Sequence, residues 1–194
     1  MQSLADVTIT EFQQALTSEK LRVSQIIHVA LAAGAMTLAL VAVGLFLMGD
    51  RREPLAGAFS MANILSGVNV LMAMTMPMVG WIISSKQLSA ARLQGAVTQE
   101  FRNEKGQLIS TSPADKCIML IRTSSILQLA TLEGSAFLGL AVCLIVTTDG
   151  VAQAEPAYLF NMATCLPLFG FIVATFPTRA SFTNIFETKI QNNR

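Results

Sequence analysis

Charge is scarce in this chain of 194 residues: charged side chains make up 13% of it, against 53% that are hydrophobic. A soluble domain carries about 25% charged residues. Half that supply leaves a water-facing surface uncovered, which argues against a soluble globular enzyme. The 13 Lys and Arg stand against 12 Asp and Glu. Without a basic excess there is no footprint for a phosphate backbone, so no nucleic-acid partner is expected. Three cysteines (Cys117, Cys143, Cys165) and one histidine (His28) form no group with metal-ligand spacing. No metal, no cofactor and no catalytic constellation is expected. Residues 1–25 are polar and acid-containing rather than a basic stub before a short apolar core, so they do not read as a cleavable targeting peptide.

What the chain has is apolar length. Residues 26–48, 61–84, 117–147 and 157–177 are each long enough for a helix to cross hydrocarbon, which takes roughly 20 residues. Each must be helical, because backbone amides in lipid have no water to bond. Basic residues divide unevenly between the two sides of such a bundle. Residues 1–25, 85–116 and 178–194, with Arg122 just inside the third span, share 11 of the 13, and only Arg51 and Arg52 lie on the other side. Both termini are therefore expected in the cytoplasm.

The polar segments carry local signals. Thr8-Ile9-Thr10-Glu11 has the form of a capping box, with Phe12 and Leu16 one turn apart behind it. Two readings fit: a short amphipathic helix on the membrane surface, or a frayed tail. Leu93, Val97 and Phe101 recur every fourth residue, which would carry the second helix onward towards a turn at residues 103–106. Ser112-Pro113-Ala114-Asp115 predicts the start of the third helix, well before it enters lipid.

The two halves echo each other. Residues 76–83 (MPMVGWII) match 166–173 (LPLFGFIV), and Ile26, Ala30, Gly34 and Leu38 align without gaps with Ile126, Ala130, Gly134 and Leu138. The expected fold is thus all-α, a four-transmembrane-helix bundle built from two repeated helical hairpins. Pro77 and Pro167 are predicted to kink their helices by freeing the carbonyls of Ala73 and Ala163.

Glu133 breaks the repeat, standing where the first half has Ala33. It lies roughly 16 Å beyond Arg122 at 1.5 Å per residue, near mid-bilayer. A carboxylate at that depth costs several kcal/mol, so the group should be protonated, hydrogen-bonded, or facing water or a cation. Ser124, Gln128, Thr131, Ser135 and Gly139 form a stripe for close helix packing, and Glu133 lies nearly opposite it. Three readings stay open. Glu133 donates as a neutral acid to Asn69 or a carbonyl, carries a proton or cation, or meets another membrane chain. His28 aligns with Gln128 and should pack at a helix end; Asn63, Asn69 and Asn161 should join helices by hydrogen bonds.

Two resemblances follow from these residues. Leu129-Ala130-Thr131-Leu132-Glu133-Gly134-Ser135-Ala136-Phe137, with Phe176-Pro177-Thr178-Arg179 after the last span, resembles a group of small bacterial multi-helix membrane proteins without assigned function. Their pattern has a Leu-x-Glu-Gly segment in one helix and a Pro-Thr-basic exit from the next; Ser135 stands where that pattern has proline. The likeness covers about residues 120–190 and implies a multi-pass protein of the bacterial inner membrane. Locally, Glu133 with Phe137, Gly139, Leu140, Val142 and Leu144 is similar to the ion-carrying helix of rotary ATPase proteolipid subunits. That likeness implies an outward-facing, ion-binding acid. The second helix has only Gly67 and Gly80 in place of that family's glycine ladder, and residues 85–116 are longer than its polar loop. Together these readings give a non-catalytic subunit or homo-oligomer whose partners are lipid, itself or other membrane subunits.

Overall fold

The computed structural model describes residue 4 and residues 7–49, 53–89, 101–102, 108–109 and 112–191. In chain order the elements are α1 (Ile9–Ala15), α2 (Ser18–Met48), α3 (Ala58–Gln87), β1 (Phe101–Arg102), β2 (Leu108–Ile109), α4 (Pro113–Thr148) and α5 (Val151–Ala154). A 3₁₀ stretch (Pro156–Thr164), α6 (Cys165–Ala174), α7 (Arg179–Ile185) and a π-helical turn (Phe186–Ile190) complete the chain. The strands are short, antiparallel partners, Phe101 opposite Ile109 and Arg102 opposite Leu108.

Four segments are long and apolar enough to cross a membrane: Ser18–Met48, Ala58–Gln87, Pro113–Thr148 and Pro156–Ala174. The first three run to 31, 30 and 36 residues, or about 45–54 Å, well beyond a hydrocarbon layer of about 30 Å. Large apolar side chains point outward along α2 and α3, among them Leu40, Leu47, Ile64, Leu71 and Trp81, each more than 60% exposed. Half of the apolar stretch of α4 is buried within the chain, against 11% for α2 and α3. The third span is therefore the most buried of the four.

The caps form where local chemistry requires them. Thr8 Oγ1 accepts the Glu11 amide at 3.2 Å while Glu11 Oε2 accepts the Thr8 amide at 2.8 Å. Ser112 Oγ accepts the Asp115 amide at 3.2 Å, and α4 begins at Pro113. The Pro177-Thr178 pair is also a cap: Thr178 Oγ1 accepts the Ser181 amide at 3.1 Å to start α7. Gly57 (φ 82°) and Gly150 (φ 78°) hold left-handed backbone just before α3 and α5, a conformation a Cβ would strain.

Two local expectations need correction. Phe101 belongs to a strand rather than to a prolonged second helix, because α3 ends at Gln87, with the Ser89 amide bonded back to Lys86. Leu93, Val97 and the turn at 103–106 lie outside the described residues. The span predicted at 157–177 is not one α-helix, as it opens with nine residues of 3₁₀ geometry. Pro167 is the third residue of α6, in the first turn, where an amide has no partner within its own helix. It stands at the change of helix type, while Pro77 lies inside continuous α3.

The chain divides into two compact units: residues 1–27, 81–128 and 175–194 in one, residues 28–80 and 129–174 in the other. The first, here the terminal unit, has its own core of Leu4, Val7, Phe12, Leu16, Ile121, Phe182, Phe186 and Ile190. Phe12 and Phe186 stack at 4.2 Å with an interplanar angle of 11°. The apolar face of α1, with Phe12 and Leu16, is thus taken up by the C-terminal segment. Lys20 pairs with Asp115 and bonds the Ala15 carbonyl, Gln25 Nε2 donates to Pro177 O at 2.8 Å, and the hydroxyls of Ser84 and Ser124 lie 2.6 Å apart.

Two outcomes are expected of this unit. Truncation of the fully buried Phe12 to Ala removes a stacked ring and leaves a cavity, costing about 3–5 kcal/mol. Limited proteolysis of the purified protein should then cut near residue 12 far faster than in wild type. The Thr8 amide and hydroxyl hold the exposed Glu11 carboxyl below its ordinary range. A lowered value means the cap is at full strength above about pH 4.3 and fails as pH falls through the lower folded value. Amide exchange in α1 should show this acid step, and Glu11→Gln, which keeps a box-forming side chain without a titrating group, should remove it.

Candidate functional site

The second unit, the span unit, has two apolar clusters. Leu129, Leu132, Ala136 and Leu140 of α4 pack with Ala35, Cys165, Leu168 and Ile172. Val142 and Val146 pack with Ala58, Ala62, Val151 and Ala152. Between apolar walls of this kind the same unit holds a set of polar side chains on α3 and the 3₁₀ stretch.

These side chains follow a spacing of three. On α3 they are Asn63, Ser66 and Asn69; on the 3₁₀ stretch they are Tyr158, Asn161 and Thr164. A 3₁₀ helix has 3.0 residues per turn, so residues three apart eclipse one another and form a straight row. An α-helix would rotate each successive rung by about 60°. The rows are joined rung by rung. Tyr158 OH donates to Asn63 Oδ1 at 2.7 Å, Asn161 Nδ2 to Ser66 Oγ at 2.9 Å, and Asn69 Nδ2 to Asn161 Oδ1 at 2.9 Å. Thr164 Oγ1 donates to the Asn161 carbonyl at 2.9 Å, and Asn161 Nδ2 also reaches Tyr158 O at 2.7 Å.

Gly139 of α4 makes this ladder possible. A Cβ there would overlap Thr164 Oγ1 and the Asn161 carbonyl and press against Asn69 Nδ2. Only a residue without a side chain lets α4 back the ladder so closely. One polar atom stays over: Asn69, 1% exposed, has no partner for its Oδ1. The ladder lines an open groove of about 550 Å³, with Val70, Ala73, Met74, Phe160, Ala163 and Pro167 as apolar walls and Glu155 as its one charged lining residue among the described residues.

The other sequence-derived residues fall as follows. Asn69 and Asn161 are brought together, and Asn69 bonds Asn161 rather than Glu133. Ser124, Ser135 and Gly139 of the stripe are buried, Ser135 Oγ bonding the Leu132 carbonyl at 2.9 Å; Gln128 and Thr131 are half-buried. His28 is buried at 2% exposure. Glu133 is half-buried, and among the described residues it makes no hydrogen bond or ion pair. No group of three His, Cys, Asp or Glu able to hold a metal occurs among the described residues. Ser66, Tyr158 and Thr164 were missed by sequence reasoning, although their spacing of three, in step with the asparagines, was the available signal.

Comparison with family models, curated proteins and solved structures returns no match. The site is therefore read from its geometry alone. Gly139→Ala should cost about 1–3 kcal/mol through overpacking, seen as a lower melting temperature in detergent. Adding Thr164→Ala should recover part of the loss but not all, because the Asn161 carbonyl still faces the new methyl.

Proposed function

We propose that this chain is a non-catalytic multi-pass protein of the bacterial inner membrane, with both termini and residues 85–116 in the cytoplasm. It works as a subunit, in a homo-oligomer or with other membrane chains, and Glu133 is its proton- or cation-binding group. The observation that carries this reading is a half-buried carboxyl on the most buried apolar span, without a hydrogen bond or ion pair among the described residues. A bare carboxylate in hydrocarbon is too costly to persist, so a proton, a cation or a neighbouring chain completes it. The 11-to-2 distribution of basic residues supports the threading.

The alternative is a structural or assembly subunit. The terminal unit supports it, since three separate segments of the chain combine there into one core.

The two readings part in one set of measurements. In liposomes, a hydrophobic carbodiimide should label Glu133, more at low pH than at high, and Glu133→Gln should lower ion flux at least tenfold. Unchanged flux in that variant removes the ion-binding reading. A defined larger complex in mild detergent, kept intact by Glu133→Gln, then supports assembly.

A further inference from the structure

The groove beside the polar ladder is graded along its length, from a charged mouth to an apolar interior. The spacing of three that runs through Tyr158, Asn161 and Thr164 continues outward to Glu155, which caps the 3₁₀ stretch and lines the groove with them. One rung of such a row is about 6 Å. Glu155 is exposed and pairs with no Lys or Arg among the described residues. It stands just before the segment that is apolar enough to cross a membrane.

The other polar atoms at this mouth are also acceptors. Asn63 is exposed, and its Oδ1 takes one hydrogen from Tyr158 OH, which leaves each of these two oxygens a lone pair to offer. A carboxylate beside such oxygens suits a cation that brings several N–H donors. Among the described residues no Lys, Arg or His lines the groove to supply one.

Further in, the groove changes character. Its polar floor is closed on itself: Asn161 donates to Ser66 and to the Tyr158 carbonyl, Asn69 to Asn161, and Thr164 to the Asn161 carbonyl. Asn69 is sealed beneath that floor at 1% exposure and takes no part in binding. What stays open is apolar, since Val70, Met74 and Phe160 are 58%, 68% and 81% exposed. The groove follows α3 from Asn63 to Met74 for about 16 Å, half of a hydrocarbon layer of about 30 Å. That is the reach of one acyl chain from the membrane boundary to the midplane. A charge at the level of Met74 would sit in hydrocarbon without a countercharge, so a charged head belongs at the Glu155 end. Glu155 repels a head that carries only a phosphate and attracts one that carries an ammonium.

We propose that the groove binds a phospholipid with a primary ammonium in its head. The ammonium sits at Glu155, Tyr158 and Asn63, and one acyl chain runs along Val70, Met74 and Phe160.

The test uses the full-length protein in mild detergent, with bound lipid counted by native mass spectrometry. The probes are three dioleoyl lipids: phosphatidylethanolamine, phosphatidylcholine, whose cation has no N–H donor, and phosphatidylglycerol, which has no cation. Wild type should retain the ethanolamine lipid at least threefold over each of the others. Glu155→Gln, a change at an exposed position that keeps the shape and removes the charge, should bring the ethanolamine and glycerol lipids within twofold of each other. Val70→Trp, which fills the groove from an exposed wall position, should lower retention of the ethanolamine lipid at least tenfold. Equal retention of the ethanolamine lipid and either of the others by wild type overturns the proposal, as does a preference that survives Glu155→Gln in full. A Val70→Trp variant that retains lipid like wild type but loses a larger assembly also overturns it, in favour of a protein occupant.

Discussion

A polar atom removed from water must find its partner within the protein, and in the span unit one ladder of side chains meets much of that demand, with Asn69 Oδ1 left over. Asn63, Ser66 and Asn69 on one element meet Tyr158, Asn161 and Thr164 on another, and Gly139 gives up its side chain so that the third element can close behind them. Apolar packing in lipid has little power to choose a register, since lipid tails are as apolar as leucine. Directional bonds supply the choice. They fix where α3 stands along the 3₁₀ stretch, and the clusters around Leu140 and Val142 pack on a frame already in register.

The terminal unit is organised on the opposite principle. Its core is an apolar cluster in which Phe12 stacks on Phe186 and residues from both ends of the chain meet the start of α4. The Pro-Thr pair after the last span is part of this arrangement. Pro177 offers its carbonyl to Gln25 while Thr178 caps α7. A motif that reads as an exit signal from the membrane is, in physical terms, a helix stop followed by a helix start.

Much of this was legible in the residues. The apolar runs marked all four spans, and Thr8 and Ser112 announced their helices because capping is a local affair of three or four residues. The fate of the α1 apolar face was not legible, because its partners Phe182, Phe186 and Ile190 lie some 170 residues away and show only an ordinary spacing of four. The 3₁₀ stretch before Pro167 was hidden for a related reason: nothing local to residues 156–164 sets them apart from an α-helix. The asparagines were recognised as helix-joining groups one at a time; the row they form emerges only when both elements are seen together. Glu133 stood out in the sequence as a charge in an apolar run, and in the structure as a side chain without a companion among the described residues.

Nine residues of 3₁₀ geometry also alter how far the last span reaches. At about 2.0 Å per residue for Pro156–Thr164 and 1.5 Å for Cys165–Ala174, the segment measures about 33 Å, where an all-α segment of that size would measure about 28 Å. Stretched, it matches a hydrocarbon layer of about 30 Å; relaxed to α, it falls short. The same relaxation would swing Tyr158 through about 120° relative to Thr164. Bilayer thickness and the alignment of the polar rungs are thereby tied to a single coordinate, so that a thinner membrane pulls on the bond between Tyr158 and Asn63.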